Sequence, residues 1–403
     1  MSLPADNFPL LKLKANTDRR LRAGHLWIYS NEVDIQLSPL KDFSPGQQVR
    51  VENARGKLMG LAYVNPHSLI CGRLFSRDSK YPLDKSLLVH RIKMALSLRE
   101  SATDAPYYRL VYGDSDFLPG LVVDRFGDVL VVQIATVGME LVKQALVEAL
   151  CQVLKPAGIL FKNDSRIRSA EDLPSYVEVA YGEVAQWQPI WENAVQFNVP
   201  LYEGQKTGWF YDHRAARGRL ADYVKGKRVL DVFSYIGGWG VQAAVFGAAS
   251  VSCIDSSEFA LDGVEANAEL NGVREKVATI HGAAFEVMKV LIDEGERFDV
   301  VIIDPPAFIP RRKDIKAGEQ AYRRAHELAM RLLGSGGLLV SASCSMHLER
   351  DRLVDIIRAS GRHLDRDVQI LEQGGQTFDH PVHPAIPETQ YLKSIFARVL
   401  PAI

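Results

Sequence analysis

The chain has 403 residues, of which 47% are hydrophobic and 24% are charged, and its net charge is −1. This length allows two or three domains, and this composition excludes a disordered or collagen-like chain. A near-neutral chain is not expected to bind nucleic acid through a uniformly basic surface.

The charge is unevenly distributed along the chain. Residues 1–75 carry a net charge of +4, so the remaining residues carry −5. This segment is the candidate contact for a polyanion; the alternative is that its basic side chains only solvate a small domain. Short strand patterns near residue 27, after Pro45-Gly46 and after Arg55-Gly56 predict a β-rich domain at 1–75.

A second segment, 76–189, begins with a polar linker at 76–80. Apolar spacing then predicts a helix over 83–99, a hairpin over 121–131, a helix over 140–154 and a strand from Gly158. This mixture predicts a central α+β domain.

From residue 190 to 403, strands alternate with helices, which is typical of a doubly wound α/β sheet. Helices are predicted over 256–270 and 321–333. We expect a Rossmann-like domain with a seven-stranded, mostly parallel sheet, its strands at 228–233, 250–254, 277–280, 299–303, 338–343, 368–372 and 394–399.

The four cysteines are sparse and the ten histidines are scattered along the chain. The four cysteines lack the spacing of a disulfide framework, which favours a reducing compartment, and the histidines lack metal-ligand spacing. The start has no secretion-signal pattern, and no run of 18 apolar residues occurs. We therefore expect a cytoplasmic protein without metal or membrane segment, and core positions for Cys71, Cys151 and Cys253.

A glycine-rich turn follows the first strand of the sheet, in Asp231-Val-Phe-Ser-Tyr-Ile-Gly-Gly-Trp-Gly240, and the second strand ends in Asp255. Such a turn and acid form an adenosine-cofactor site, but the spacing is not the GxGxxG of dinucleotide sites. An added carboxylate at Asp231 suits a cofactor with a positively charged end, as in S-adenosylmethionine. The alternative is a loop that serves only helix packing.

Two further predicted strands are followed by potentially catalytic side chains, a carboxyl group and a thiol. Asp304-Pro305-Pro306-Ala307-Phe308 follows the fourth strand, and Ser343-Cys344-Ser345 stands at the end of the fifth. Parallel neighbours end at one edge, so we expect Asp304 and Cys344 to face one crevice. A thiolate that adds to carbon 6 of cytosine, with an acid at nitrogen 3, makes carbon 5 nucleophilic enough to take a methyl group. Alone, Cys344 would more often be a small buried hydrophobe.

A basic loop follows Phe308, with Arg311, Arg312, Lys313 and Lys316. It rims the same crevice and is expected to hold nucleic-acid phosphates without reading sequence. An ordinary solvated loop is the alternative.

These features together resemble the bacterial 23S ribosomal RNA large-subunit methyltransferase I family over nearly the whole chain. The resemblance rests on 21–30, 203–214, 231–240, Asp304-Pro-Pro-Ala-Phe308, Ser-Cys344-Ser and Asp379-His380-Pro381. It implies a PUA domain at the front and an S-adenosylmethionine-dependent enzyme that forms 5-methylcytosine in large-subunit ribosomal RNA. A homodimer is also implied.

The resemblance implies roles for individual residues. Cys344 becomes the nucleophile and Asp304 its partner at the base. The cofactor contacts are Phe233, Ser234, Tyr235, Gly237, Asp255, Ser256 and Asp304, with Gln205, Thr207, Phe210 and Arg214 laid across the cofactor. Substrate contacts are expected at Pro305, Pro306, Phe308, Arg311, Arg312 and His380.

The chain departs from the family's pattern at two places. His213 stands where relatives have Gln, and Gly282-Ala283-Ala284-Phe285 lacks the acid that would hold the adenine amine. We therefore expect backbone groups near Ala284 and the ring of Phe285 at the adenine.

Two other functions stay open at this point. A methyltransferase that acts on an exocyclic base nitrogen also uses an Asp-Pro-Pro-Phe-like loop, but it has no need of Cys344. A non-catalytic, PUA-based RNA-binding factor would keep the fold and bind no cofactor.

Overall fold

The computed structural model describes residues 8–402. The start of the chain, where we expect no secretion signal, lies outside the described residues. The chain divides into two compact units. The first comprises 1–188, 200–211 and 378–389, and the second comprises 189–199, 212–377 and 390–403. The domain boundaries expected at 75 and 189 stay predictions.

The first unit begins with a small β-rich sheet with strand order β1-β3-β4-β5-β2. Its core is apolar and includes Leu11, Val49 and Leu74, because alternate side chains of these strands point inward. Its elements are β1 (Leu10–Lys12), α1 (Arg19–Arg22), β2 (Trp27–Ile28), β3 (Gln48–Glu52), β4 (Leu58–Val64) and β5 (Gly72–Ser76).

A second sheet in this unit has strand order β10-β9-β8-β7-β6. Leu88, Val123 and Leu146 belong to one apolar core, which also includes Tyr63 of β4. The elements are α2 (Lys85–Glu100), β6 (Tyr107–Tyr112), β7 (Leu121–Phe126), β8 (Val129–Ile134), α3 (Val137–Leu141), α4 (Lys143–Leu154), β9 (Gly158–Asn163) and β10 (Tyr176–Gly182).

The helix predicted over 140–154 is wrong in its extent, because the chain breaks at Val142 between α3 and α4. Gly138 of α3 lies directly against the Tyr63 ring, because a Cβ at this position would be 2.1 Å from Tyr63 Cγ. A tertiary contact of this kind is not visible in the apolar spacing from which one continuous helix was predicted.

Two strands lead into the second unit, β11 (Trp187–Glu192) and β12 (Val195–Pro200), and pair with each other. The expected doubly wound α/β fold follows. Its elements are α5 (Arg214–Arg219), β13 (Arg228–Val232), α6 (Gly240–Val245), β14 (Ser250–Asp255), α7 (Glu258–Leu270), β15 (Val277–His281), α8 (Ala284–Asp293), β16 (Phe298–Ile303), α9 (Ile315–Leu332), β17 (Leu333–Ser343), α10 (Arg350–His363), β18 (Arg366–Gly374) and β19 (Lys393–Pro401).

The large sheet has the order β15-β14-β13-β16-β17-β19-β18 and, within the described residues, contains seven strands. Neighbouring strands from β15 to β17 run parallel, whereas β19 is antiparallel to both β17 and β18. The chain order reverses between β13 and β16, so the ligand crevice of such a sheet lies at the carboxyl ends of these two strands. The predicted fold class is confirmed.

Candidate functional site

The loop after β13 has an unusual backbone. Phe233 (φ +67°), Tyr235 (φ +49°) and Gly237 (φ +85°) all have left-handed conformations. Side-chain-bearing residues adopt such angles only when their surroundings hold them, and such strain clusters at ligand sites. Here Asp255 is the holding group, because its Oδ2 accepts a hydrogen bond from the Tyr235 amide at 2.9 Å and its Oδ1 accepts one from Ser257 at 3.0 Å.

Two buried polar atoms have no hydrogen-bond partner within residues 8–402, namely Ser234 Oγ in this loop and Asp231 Oδ1 near the end of β13. Buried polar atoms are normally paired, so these two mark places where a polar ligand completes the bonding. The Asp231 Oδ2 atom accepts the amide of Gly240 at 2.8 Å. The loop therefore fits a polar cofactor that approaches the backbone closely.

Asp231 is completely buried. Burial raises its pKa to about 8, and the negative charges of Asp304 and Asp255 act in the same direction, against the hydrogen bond from Gly240. A bound cation would offset this desolvation and favour the carboxylate.

Three phenyl rings come together at the ends of β13, β15 and β16. Phe233, Phe285 and Phe308 have ring centroids 6.1 to 6.4 Å apart. All three are partly exposed, which leaves ring surface for a planar ligand. Helix α8 begins after Ala283, which provides no side-chain cap, so a carboxylate is missing here as the sequence indicates.

Asp304 follows β16 directly and stays partly exposed, with 18% of its side chain accessible. Its Oδ2 accepts a hydrogen bond from Trp239 Nε1 at 2.9 Å and lies 3.4 Å from His213 Nε2. Neither partner was assigned a role from the sequence, because they lie 65 and 91 positions away along the chain. No group of the described chain donates to its Oδ1, so this atom remains for a ligand.

Cys344 follows β17 and is half-buried. The two serines beside it are fixed by a buried hydroxyl network, since Tyr322 Oη lies 2.8 Å from both Ser343 Oγ and Ser345 Oγ. Ser345 Oγ also accepts the amide of Ile309 at 3.2 Å. This last bond joins the loop that carries Cys344 to the loop that carries Asp304.

The other thiols differ from Cys344 in their surroundings. Cys71 and Cys253 are buried as expected, and burial raises the pKa of the Cys71 thiol to about 12 and that of Cys253 well above its usual value. Cys151 is only half-buried and packs against the apolar core of the first unit.

A buried lysine was missed in the sequence. Lys393, the first residue of β19, pairs with Ser343 in the sheet. Its Nζ donates to the carbonyls of Ser345 at 2.6 Å and Tyr391 at 2.7 Å. The available signal was a lysine that stands next to Leu392 and just before the apolar run Ile395-Phe396-Ala397 of the predicted last strand.

Five of the six substrate candidates lie on the segment that follows Asp304. Pro305 is buried, Pro306 is exposed and Phe308 packs on Tyr322 with ring centroids 5.0 Å apart. Arg311 and Arg312 are both exposed, and Arg311 pairs with Asp314 at 3.0 Å.

The remaining cofactor candidates belong to different units. Arg214 starts α5 in the second unit, with its Nε 3.7 Å from Glu192 Oε2. Gln205, Thr207 and Phe210 lie in the first unit, where the buried Thr207 hydroxyl donates to Asp124 at 2.5 Å. Ser256 is exposed at the end of β14.

His380 also lies in the first unit and is buried. Its Nδ1 is 2.9 Å from Asp379 Oδ1, and the other oxygen of Asp379 accepts the amide of Arg109 at 3.0 Å. The structure thus gives His380 a local buried partner. Its expected place at the substrate stays a prediction.

No group of three or more His, Cys, Asp or Glu side chains in residues 8–402 has the arrangement to hold a metal ion. None of the helices in this range combines the length and hydropathy needed to cross a bilayer.

Comparison with known proteins gives two family matches. Residues 11–77 match the PUA-like domain, and residues 118–379 match the S-adenosylmethionine-dependent methyltransferase domain. The chain is 35% identical over 400 residues to ribosomal RNA large subunit methyltransferase I of Vibrio cholerae, covering 97% of this chain and all of that protein. The same enzyme of Erwinia tasmaniensis is 34% identical over 397 residues, covering 97% and 99%.

Solved structures show the same fold. A methyltransferase complexed with S-adenosylhomocysteine superposes with a TM-score of 0.83 at 21% identity, covering 97% of this chain and 100% of that one. A Streptococcus mutans methyltransferase gives 0.82 with the same identity and coverage.

Proposed function

Because the chain belongs to the ribosomal RNA large subunit methyltransferase I family, we propose that it methylates carbon 5 of a cytosine through a covalent Cys344 adduct. The coarser activity follows from the family. The chain is an S-adenosylmethionine-dependent methyltransferase of ribosomal RNA.

The observation that carries the proposal is the pairing of a thiol and a carboxyl at one sheet edge. Cys344 and Asp304 follow the parallel neighbours β17 and β16, and their loops are joined by the bond from the Ile309 amide to Ser345 Oγ. One oxygen of Asp304 is held by Trp239 and the other is available to a base. Nucleophile and acid can therefore act on one pyrimidine ring.

In the proposed reaction the Cys344 thiolate adds to carbon 6 of cytosine. Asp304, as the acid, gives nitrogen 3 a proton, so the electron pair displaced by the new S–C bond is held as an enamine whose carbon 5 is nucleophilic. When bound, S-adenosylmethionine supplies an electrophilic methyl group. After methyl transfer a base takes the carbon 5 proton, the S–C bond breaks, and nitrogen 3 returns its proton to Asp304.

We propose that the strained loop after β13 holds the cofactor. Ser234 Oγ and Asp231 Oδ1 are buried atoms that lack partners in the described chain, and Asp255 ends β14 where ribose hydroxyls would meet it. The rings of Phe233 and Phe285 offer apolar surface to adenine, together with the backbone near Ala284. Contacts from Tyr235, Gly237 and Ser256, and from Gln205, Thr207, Phe210 and Arg214, belong to the same proposal.

We assign RNA contact to the PUA-like segment at 11–77 and to the exposed Arg311 and Arg312. Pro305, Pro306, Phe308 and His380 are the proposed contacts with the target nucleotide. A homodimer and a cytoplasmic location stay predictions from the sequence.

Methylation of an exocyclic nitrogen is the competing chemistry, and Cys344 separates the two. We expect Cys344→Ala and Cys344→Ser to lose at least about 10³-fold in turnover, because the covalent route is removed. The control is Cys151→Ala, which removes another half-buried thiol and should keep full turnover. Mass spectrometry of the methylated nucleoside should give 5-methylcytidine. Substantial turnover by both Cys344 variants, with an N-methylated product, would overturn the proposal.

A further inference from the structure

Lys393 is a buried cation without a carboxylate partner. Only 6% of the surface of this residue is accessible to solvent. No Asp or Glu of the described chain forms an ion pair with it. Burying an ammonium group is costly unless its charge and its protons are matched. Its position in the fold therefore needs a reason beyond packing.

Two of the three ammonium protons have acceptors, the carbonyls of Ser345 and Tyr391. Ser345 is the residue next to Cys344, so one of these bonds fixes the backbone of the loop that carries the thiol. The strand pairing of Lys393 with Ser343 holds the other side of the same loop. No group of the described residues accepts the third proton.

The titratable groups that act on Lys393 are Cys344, then Glu349 and Arg350. Burial lowers the pKa of Lys393 to about 8, and the negative form of Cys344 is the largest opposing effect, ahead of Glu349. Tyr322, on the other side of the loop, bonds Ser343 and Ser345 and carries no charge at neutral pH. The group that best complements the buried ammonium is thus the thiolate of Cys344.

We propose that the ammonium group of Lys393 stabilises the thiolate of Cys344 and holds the Ser343–Ser345 loop in place. Lys393 is a positioning residue; the thiol proton leaves to water, and Lys393 keeps its own protons. The inference rests on the proposed role of Cys344 as nucleophile, which it deepens. The same charge stabilises the thiolate again when the S–C6 bond breaks.

The test measures the reactivity of Cys344 directly. Iodoacetamide is applied to the full chain between pH 5 and 10, and modification of the peptide that contains Cys344 is followed by mass spectrometry. In Lys393→Gln, which keeps hydrogen-bond donors but removes the charge, the midpoint of the alkylation profile should rise by about one pH unit. Modification at pH 7 should slow by roughly 10-fold. Lys393→Arg should restore a profile close to that of the unmodified chain.

The matched control is Lys162→Met, since Lys162 is another buried lysine, paired with Asp164 in the first unit. Its removal should leave the Cys344 profile unchanged. Lys393→Gln removes the charge but keeps hydrogen-bond donors, whereas Lys393→Met removes both. An unchanged midpoint of the alkylation profile in both variants would overturn the inference. If the Lys393 variants shift the alkylation profile but Cys344→Ala still methylates RNA, the role of Cys344 as nucleophile is refuted. The effect of Lys393 on the Cys344 thiolate is then still supported.

Discussion

Asp304 has two carboxylate oxygens in different surroundings. Oδ2 receives the indole N–H of Trp239 and faces His213, whereas no described protein group bonds Oδ1. The bond to Oδ2 fixes the orientation of this carboxyl group, and Oδ1 is left to interact with a ligand. The stiff Pro305-Pro306 turn that follows limits its movement.

We expect Asp304→Asn to lower turnover by roughly 10²- to 10⁴-fold, because the amide accepts the Trp239 N–H but cannot supply a proton to nitrogen 3. Turnover is measured at saturating S-adenosylmethionine, so that a weaker contact between residue 304 and the cofactor does not enter the comparison. Asp314→Asn, in the neighbouring exposed loop, serves as the control. Turnover within 10-fold of the unmodified enzyme would count against the role of Asp304.

Asp231 makes the stability of the fold depend on pH. Its pKa is raised from the usual 3.8 to about 8, so the folded chain keeps this carboxyl protonated where the unfolded chain has ionised it. The contribution of the raised Asp231 pKa to the free energy of unfolding is complete below about pH 3.8. It is lost as the pH rises towards 8.

Asp231→Asn removes this titration but retains an acceptor for the Gly240 amide. Relative to the unmodified chain, the variant should gain stability as pH rises from 5 to 7, by up to about 1.4 kcal/mol per pH unit. Urea unfolding without cofactor at several pH values measures the difference. A difference that does not vary with pH would contradict the assignment.

The glycine-rich loop is the element on which cofactor binding depends. Gly237 has φ +85°, and a Cβ there would lie 2.7 Å from Cγ2 of Val241. A side chain at this position therefore adds both backbone strain and a steric clash next to the unpaired Ser234 hydroxyl.

We expect Gly237→Ala to weaken S-adenosylhomocysteine binding at least about 10-fold and to cost about 1–3 kcal/mol of stability. Gly272→Ala is the matched control, because Gly272 also has a positive φ but no atom lies within 4 Å of its added Cβ. Calorimetry and thermal unfolding give the two quantities. Equal cofactor affinity in the two variants would refute the role of the loop.

The elements that sequence reasoning found are those whose pattern is local. Strands such as β13 and β16 are apolar runs between helices, and parallel pairing then predicts Asp304 beside Cys344. Strand β10 escaped detection because most of its side chains are exposed. Lys393 escaped because its site depends on β19 entering antiparallel between β17 and β18, which no local signal specifies.

Over the whole chain, positive charge is concentrated in the segments for which RNA contact is proposed. The chain is nearly neutral, but residues 1–75 are basic and the loop after Asp304 carries exposed arginines.

His213 shows what sequence reasoning could not predict about the long-range contacts of the folded chain. Its proximity to Asp304 follows from folding distant segments together and was only visible as a departure from the family.

Arg312 forms no ion pair within the described residues, so its charge is available to a phosphate. We expect Arg312→Ala to reduce the slope of log affinity against log salt by about 0.7 to 0.9 for ribosomal RNA fragments. Arg358→Ala removes another exposed arginine, which lies on α10 and pairs with Asp355, and it should leave the slope unchanged. A filter-binding titration over salt concentration checks both.

The covalent adduct is the central claim, and trapping it is the most direct measurement. RNA substrate containing 5-fluorocytidine carries no carbon 5 proton to remove, so the methylated adduct should persist as a denaturation-resistant complex on the peptide that contains Cys344. Cys344→Ala should form none, and Cys151→Ala should form the normal amount. Absence of any complex from an enzyme that methylates ordinary RNA, or attachment at another residue, would contradict the account.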